Sequence, residues 1–203
     1  MPTRVYLLRH AESADPTVVH GAESDVDLSE RGLRQAAAAA RVLAGAGLEA
    51  VVSSAMRRAR RTAERIAAAA QAPHTIEPLL HERRVGILSG RPFGYQGLWA
   101  ETVRRWSAGA SAYAHDGAES LDDLRARLLP AWQRIIEAHA ERTIAVVAHG
   151  VVCKVILLHL FPHTTWESIG SIRNAAVTEL EHDGGRWRLH RLDDLPAEIA
   201  DVA

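Results

Sequence analysis

Val5-Tyr6-Leu7-Leu8-Arg9-His10-Ala11-Glu12 is a short apolar run that ends on a cation and an imidazole. A run of this kind is expected to be a buried strand, and in α/β folds ligands bind at the carboxyl ends of buried strands. The arrangement recurs near the other end of the chain, where Ile144-Ala145-Val146-Val147-Ala148 leads into His149-Gly150. Two histidines at the ends of two apolar strands, with arginine beside them, make a site for an anion such as phosphate.

Strands and helices alternate outward from the first stretch. A strand over 4–8 is followed by a polar loop, 12–27, and by a helix over 30–44 that Ser29 caps and Gly45 and Gly47 end. A strand over 50–53, a helix over 57–70 stopping before Pro73, and a third strand over 74–77 come next. Residues 79–117 break the alternation, with many glycines and with Phe93, Tyr95, Trp99, Trp106 and Tyr113. These aromatics either form a small core of their own or line a pocket. A helix over 121–138, a strand over 143–148, a helix over 151–160 and a hairpin over 175–182 and 186–191, turning at Asp183-Gly184-Gly185, complete the pattern. The expectation is one α/β domain spanning 1–203. Its core is a three-layer α/β/α sandwich around a mostly parallel sheet with an antiparallel edge strand, and an insertion at about 79–117 covers the active site.

The 24 basic and 25 acidic residues leave a net charge of −1, so no global field draws the chain to nucleic acid or an anionic membrane. Apolar residues make up 47%, enough for a folded core. Cys153 is the only cysteine; it reads as a small core residue, and a cytoplasmic, reducing setting is expected. The first strand begins almost at once, which predicts no signal peptide. The longest apolar stretch, 143–161, is interrupted by His149, Gly150, Lys154 and His159, and reads as strand, turn and helix, not as a membrane span. The alanine and arginine richness around 36–41 reads as base composition. Pro162 separates His159 from His163, and no compact ligand spacing stands out, so neither metal nor cofactor is expected. The sequence carries no signal for an oligomeric state.

Parallel strands would bring His10, Ser53-Ser54 and His149 to one sheet edge. Arg57-Arg58 opens a helix directly after Ser53-Ser54-Ala55-Met56, and helix N-termini and guanidinium groups both favour phosphate oxygens. Arg57, Arg60 and Arg61 otherwise read as a solvated face. Arg9, one of Arg57 or Arg58, His149 and two helix N-termini would thus surround His10. An imidazole among cations stays neutral, and a neutral imidazole is a nucleophile toward phosphorus. Phosphate monoester hydrolysis needs accelerations of up to ~10²¹, so an acid at the leaving group is expected. Glu82, in Leu80-His81-Glu82-Arg83, is the candidate.

These blocks resemble the histidine phosphatase superfamily, in the branch of cofactor-dependent phosphoglycerate mutases and their phosphatase relatives. The resemblance rests on Leu8-Arg9-His10-Ala11-Glu12-Ser13, Leu28-Ser29-Glu30-Arg31-Gly32, Ser53-Ser54-Ala55-Met56-Arg57-Arg58-Ala59, Leu80-His81-Glu82-Arg83-Arg84-Val85-Gly86, Gly117-Ala118-Glu119-Ser120 and Val147-Ala148-His149-Gly150. They stand in the family's order across most of the chain. The resemblance implies that His10 is the nucleophile, that Arg9, Arg58 and His149 bind the phosphoryl group, and that Glu82 donates the proton. Arg58 is taken over Arg57 because it directly precedes the alanine. Ser13 and Gly150 are further candidates for substrate binding. Where many members carry a phosphate-contacting Asn this chain has Pro16, and Gly21-Ala22-Glu23-Ser24-Asp25 is one residue longer than usual. The expected activity is metal-independent hydrolysis of a small phosphorylated metabolite through a phosphohistidine, with neither nucleic acid nor membrane as a partner. The alternatives are a phosphoglycerate mutase, which Arg104-Arg105 faintly suggests, and a non-catalytic phospho-ligand-binding protein. Arg83, Arg84, Arg104 or Arg105 would add a preference for a second anion if it points inward.

Overall fold

The computed structural model describes residues 1–200. In chain order it contains β1 (Thr3–Arg9), α1 (Glu30–Ala44), β2 (Ala50–Ser53), α2 (Arg57–Ala70), β3 (His74–Ile76), α3 (Leu98–Ser107), α4 (Leu121–Ala138), β4 (Thr143–Ala148), α5 (Gly150–Leu160), α6 (Trp166–Ile169), β5 (Val177–Asp183), β6 (Arg186–Asp194) and α7 (Ala197–Ala200). The strands form one sheet in the order β3-β2-β4-β1-β5-β6. The first four are parallel, and β5 runs antiparallel to both β1 and β6. The antiparallel edge is therefore a two-stranded hairpin, longer at its far end than the sequence suggests.

Side chains on a strand alternate between faces, and the two cores follow that alternation. Val5, Leu7, Ile144 and Val146 face α4 and α5, where Leu124, Leu128, Trp132 and Ile156 meet them. Leu8, Val51, Ala145 and Val147 face α1 and α2. On that side the alanines have a packing role. Ala36, Ala39, Ala59 and Ala63 are fully buried, and their small size lets the two helices lie close together, so the alanine-rich stretch is part of the core.

Ser29 caps α1 by accepting from the Gly32 amide at 2.9 Å, and its hydroxyl donates to Glu12 Oε1 at 2.7 Å. A Cβ on Gly32 would come within 2.0 Å of the Glu12 carbonyl oxygen, so glycine is what allows α1 to lie against the loop that follows β1. Ser120 and Asp123 form a capping box at the start of α4.

Between β3 and α4 the chain makes three short 3-10 turns and α3. The helix α3 was not anticipated, yet Trp99, Val103 and Trp106 sit one turn apart on one face. Trp106 is 6% exposed and packs into the core beside Leu121 and Trp166, so part of this segment is continuous with the main core. Among the described residues no helix is long and apolar enough to cross a membrane.

Candidate active site

The parallel strands deliver their ends to one edge. Arg9 of β1 pairs with Ala148 of β4, and Ser53 of β2 with Val147. The next residue on each strand is thus His10, His149 or Ser54. The His10 amide donates to Ala148 O at 2.9 Å and the Ser54 amide to Val147 O at 3.1 Å. The His10 and His149 rings meet edge to face with centroids 5.0 Å apart.

His10 Nδ1 lies 2.6 Å from the Ala11 carbonyl oxygen. A carbonyl can only accept, so the proton is on Nδ1 and, in the neutral ring, the lone pair is on Nε2. Burial, then Arg58 and Arg9, hold the imidazole pKa well below its ordinary value. Asn174 Nδ2 donates to the His10 carbonyl at 2.9 Å, and the Ala11 amide donates to Thr62 Oγ1 at 3.1 Å.

His149 Nε2 lies 2.9 Å from Ser54 Oγ, which also accepts from the Met56 amide at 3.3 Å. When the hydroxyl gives its proton to Nε2, the imidazole proton is on Nδ1, which is buried with no protein partner. Burial, His10, Arg58 and Arg9 keep this ring neutral as well.

Backbone carbonyls hold the two arginines. Arg9 Nη1 donates to Ile172 O at 2.8 Å; Arg58 donates from Nη1 to Ser24 O at 2.9 Å and from Nη2 to Gly21 O at 3.3 Å. The extended loop 21–25 thus supplies the cradle for Arg58. The Nε of each arginine is buried without a partner, as is His149 Nδ1, leaving three donors unused around His10. Arg57 is exposed, with its amide donating to Asp25 Oδ1.

A cleft of about 630 Å³ opens over His10, lined by Arg9, Ser13, Arg58, Glu82 and Gly150 among others. His149 sits behind His10 and is fully buried. Glu82 is 9% exposed, and its Oε1 accepts from the Arg83 amide at 2.8 Å, so it faces the cleft and is not a surface ion pair. Pro16 is at the same wall. Phe93, Tyr95 and Trp99 line the cleft, whereas Trp106 belongs to the core. Arg104 and Arg105 point away and pair with Glu101 at 2.8 and 2.6 Å. Arg84 is exposed beside Glu119, and only Arg83 turns inward. Cys153 is buried behind the site, and burial pushes its thiol pKa up. Among the described residues no group of three or more His, Cys, Asp or Glu side chains is placed to hold a metal ion.

Asn174, Lys154 and Trp166 escape motif reading. Ser54 stands at the sheet edge where the sequence places it, but its hydrogen bond to His149 is not readable from the motif. Asn174 and Trp166 come from segments with no motif of their own.

The model of the histidine phosphatase superfamily (branch 1) matches residues 5–195. A metal-independent phosphoserine phosphatase of Arabidopsis thaliana is 32% identical over 208 residues, covering 95% of this chain and 82% of its own. A probable phosphoglycerate mutase GpmB of Yersinia pestis is 28% identical, covering 91% of this chain and 87% of its own. The solved structure of mycobacterial glucosyl-3-phosphoglycerate phosphatase Rv2419c superposes with a TM-score of 0.81 at 27% identity, covering 96% of this chain and all of that one (100%).

Proposed function

The chain belongs to the histidine phosphatase superfamily, branch 1, and from that membership we propose that it is a metal-independent hydrolase of small phosphomonoesters with His10 as nucleophile. The observation that carries the reading is the neutral His10 ring, its Nδ1 proton tied to Ala11 O, among three buried donors that have no protein partner. The phosphoryl oxygens take Arg9, Arg58 and His149 Nδ1–H, with the Gly150 amide at the start of α5 and Ser13 at the rim. His10 Nε2 forms a bond to phosphorus as the bond from phosphorus to the ester oxygen breaks. Glu82 gives its proton to the departing alkoxide. Water then attacks the phosphohistidine, Glu82 takes a proton from it, and phosphate leaves with Nε2 restored. Fixed donors around the equatorial oxygens stabilise charge in both steps. Residues 79–117 act as the cover of a single domain, contacting the leaving group. A cytoplasmic setting belongs to the same proposal, supported by a single buried thiol.

The test is phosphate release from an aryl phosphate by chelator-treated protein, beside conversion of 3-phosphoglycerate in the presence of its bisphosphate. Full turnover in chelator and inhibition by vanadate are expected. The Glu82→Gln variant should slow an alkyl phosphate far more than an aryl phosphate, because only the poor leaving group needs the proton. Loss of activity that magnesium or zinc restores would overturn the metal-independent reading. Bisphosphate-dependent isomerisation outrunning hydrolysis would make the chain a mutase.

A further inference from the structure

His10 and His149 follow directly on β1 and β4, Arg9 lies in β1, and Arg58 lies in α2. Glu82 has no such support. It sits between the 3-10 turns Pro78–Leu80 and Gly86–Leu88, in chain that is neither helix nor strand. Loops hold a side chain less precisely than helices and strands do, yet a proton donor must stay within hydrogen-bond reach of the ester oxygen. The contacts of its own backbone are local or weak. The Glu82 carbonyl accepts from the neighbouring His81 Nδ1 at 2.8 Å, and the Glu82 amide points to Met56 Sδ at 3.5 Å.

The firm hold comes from α4. Arg127, with its side chain 12% exposed, donates from Nη1 to Leu79 O at 2.6 Å and from Nη2 to Glu82 O at 3.2 Å. The same guanidinium takes the buried Glu119 carboxylate, through Nε at 2.8 Å and Nη2 at 3.0 Å. Glu119 extends the grip past Glu82. Its Oε2 accepts from the Arg84 amide at 2.8 Å, and its own amide donates to Arg84 O at 3.0 Å. One fork on a helix thus fixes the backbone at 79, 82 and 84. Burial alone would raise the Glu119 pKa, but hydrogen bonds from Arg127 and the Arg84 amide lower it, so the brace is an ion pair at neutral pH. Neither Arg127 nor Glu119 is among the residues that line the cleft.

We propose that Arg127, with Glu119, is the positioning residue of the proton donor: it holds the backbone over 79–84 so that Glu82 presents Oε2, with its proton, to the departing ester oxygen. The inference rests on the phosphatase reading in which Glu82 is the acid. The Arg83 amide donates to Glu82 Oε1 at 2.8 Å. An N–H at that oxygen keeps it the carbonyl of the neutral acid and leaves the proton on Oε2. As the bond from phosphorus to the ester oxygen breaks, that proton passes from Oε2 to the oxygen. Without the fork the segment is free to shift, and a misplacement of about 1 Å can slow a reaction about 100-fold. The loss falls on proton donation alone, because the groups around the phosphoryl oxygens are carried by β1, β4 and α2. An acidic phenol departs without the proton, whereas an alcohol does not. The signature is a defect that depends on the leaving group, caused by a residue that touches no substrate.

The experiment measures kcat/KM for propyl phosphate and for 4-nitrophenyl phosphate in the wild type, Arg127→Gln, Glu82→Gln and the double variant Arg127→Gln/Glu82→Gln. Arg127→Gln should slow propyl phosphate by roughly 10- to 100-fold and leave the aryl ester nearly unchanged. Arg127→Lys keeps a charge on Glu119 but not the planar fork, and should restore part of the loss. In the double variant the two losses should not add, because a displaced donor and an absent donor are the same defect. Arg127→Gln strands a buried carboxylate, so Arg127→Gln/Glu119→Gln, with no charge left unpaired, is measured beside it and should show the same selective loss. Equal slowing of both esters, or losses that add in the double variant, overturns the proposal. Amide hydrogen exchange gives a readout that needs no turnover. The Arg83 amide should exchange faster in Arg127→Gln, while the His10 amide, bonded to Ala148 O, keeps its wild-type rate. An unchanged Arg83 rate would refute the brace even in a protein that turns nothing over. Failure of the wild type to hydrolyse either ester would count against the phosphatase reading alone.

Discussion

His10 and His149 sit at the chemical centre of the cleft, and both are held neutral by burial and by nearby arginine charge. In the unfolded chain a histidine titrates near 6.5. Below that pH the unfolded state therefore takes up protons that the folded state refuses, and stability must fall as the pH drops. The carboxylates Glu119 and Glu181 are lowered too, through hydrogen bonds from Arg127 and Arg188, so their contribution is also lost as the pH falls, but in a more acid window, below about pH 4.5. Between pH 7 and 5 the histidines dominate, each with a limiting slope of about 1.4 kcal/mol per pH unit. Denaturant titrations at pH 7.5, 6.5 and 5.5 should show stability falling in the wild type and a shallower fall in His149→Asn. An unchanged slope in that variant would mean that His149 is not a buried neutral base. Phosphate should raise stability at each pH by binding only the folded state.

At the scale of elements, the segment between β3 and α4 has two jobs. Its helix α3 anchors it through Trp106, while Phe93, 66% exposed, stands at the cleft. Trp106→Ala should cost about 3 kcal/mol or more, as large-to-small core changes do. Phe93→Ala should leave the melting temperature nearly unchanged and raise KM for bulky esters. If instead Phe93→Ala destabilises and leaves every KM alone, the cover does not contact substrate. The strands, α1, α2, α4 and α5 were legible because apolar runs, a capping Ser29 and terminal glycines are local signals. The conversion of Arg9, His10 and His149 into one site was legible because parallel strands share an edge. Helix α3 was hidden by its glycine-rich flanks, although its apolar stripe was present. Which of Arg83, Arg84, Arg104 and Arg105 turns inward was not readable, because Glu101 and Glu119 decide it through tertiary pairing. Asn174, reaching the His10 carbonyl from 164 residues away, belongs to the same class. The alanines around 36–41 in α1 are visible in the sequence, but no local signal separates a helix contact face from a compositional bias.

For the whole molecule, a net charge of −1 means that attraction to phosphate is local and not global. The parallel half of the sheet gathers the strand ends that carry the histidines. The antiparallel half ends in β6, whose exposed arginines pair with Glu179 and Glu181 and make a charged edge that discourages pairing with another chain. The Ala11 carbonyl holds the His10 imidazole in one tautomer, with Arg9, Arg58 and His149 around the ring and Asn174 on its backbone carbonyl, and the proposed mechanism depends on that imidazole forming a bond to phosphorus. The direct measurement is to mix the protein with a labelled phosphomonoester, quench in alkali, digest and locate the label. The account predicts an alkali-stable, acid-labile phosphoryl group on the peptide that contains His10, absent from His10→Asn together with turnover. Label on a serine or aspartate, or undiminished turnover in His10→Asn, would contradict it.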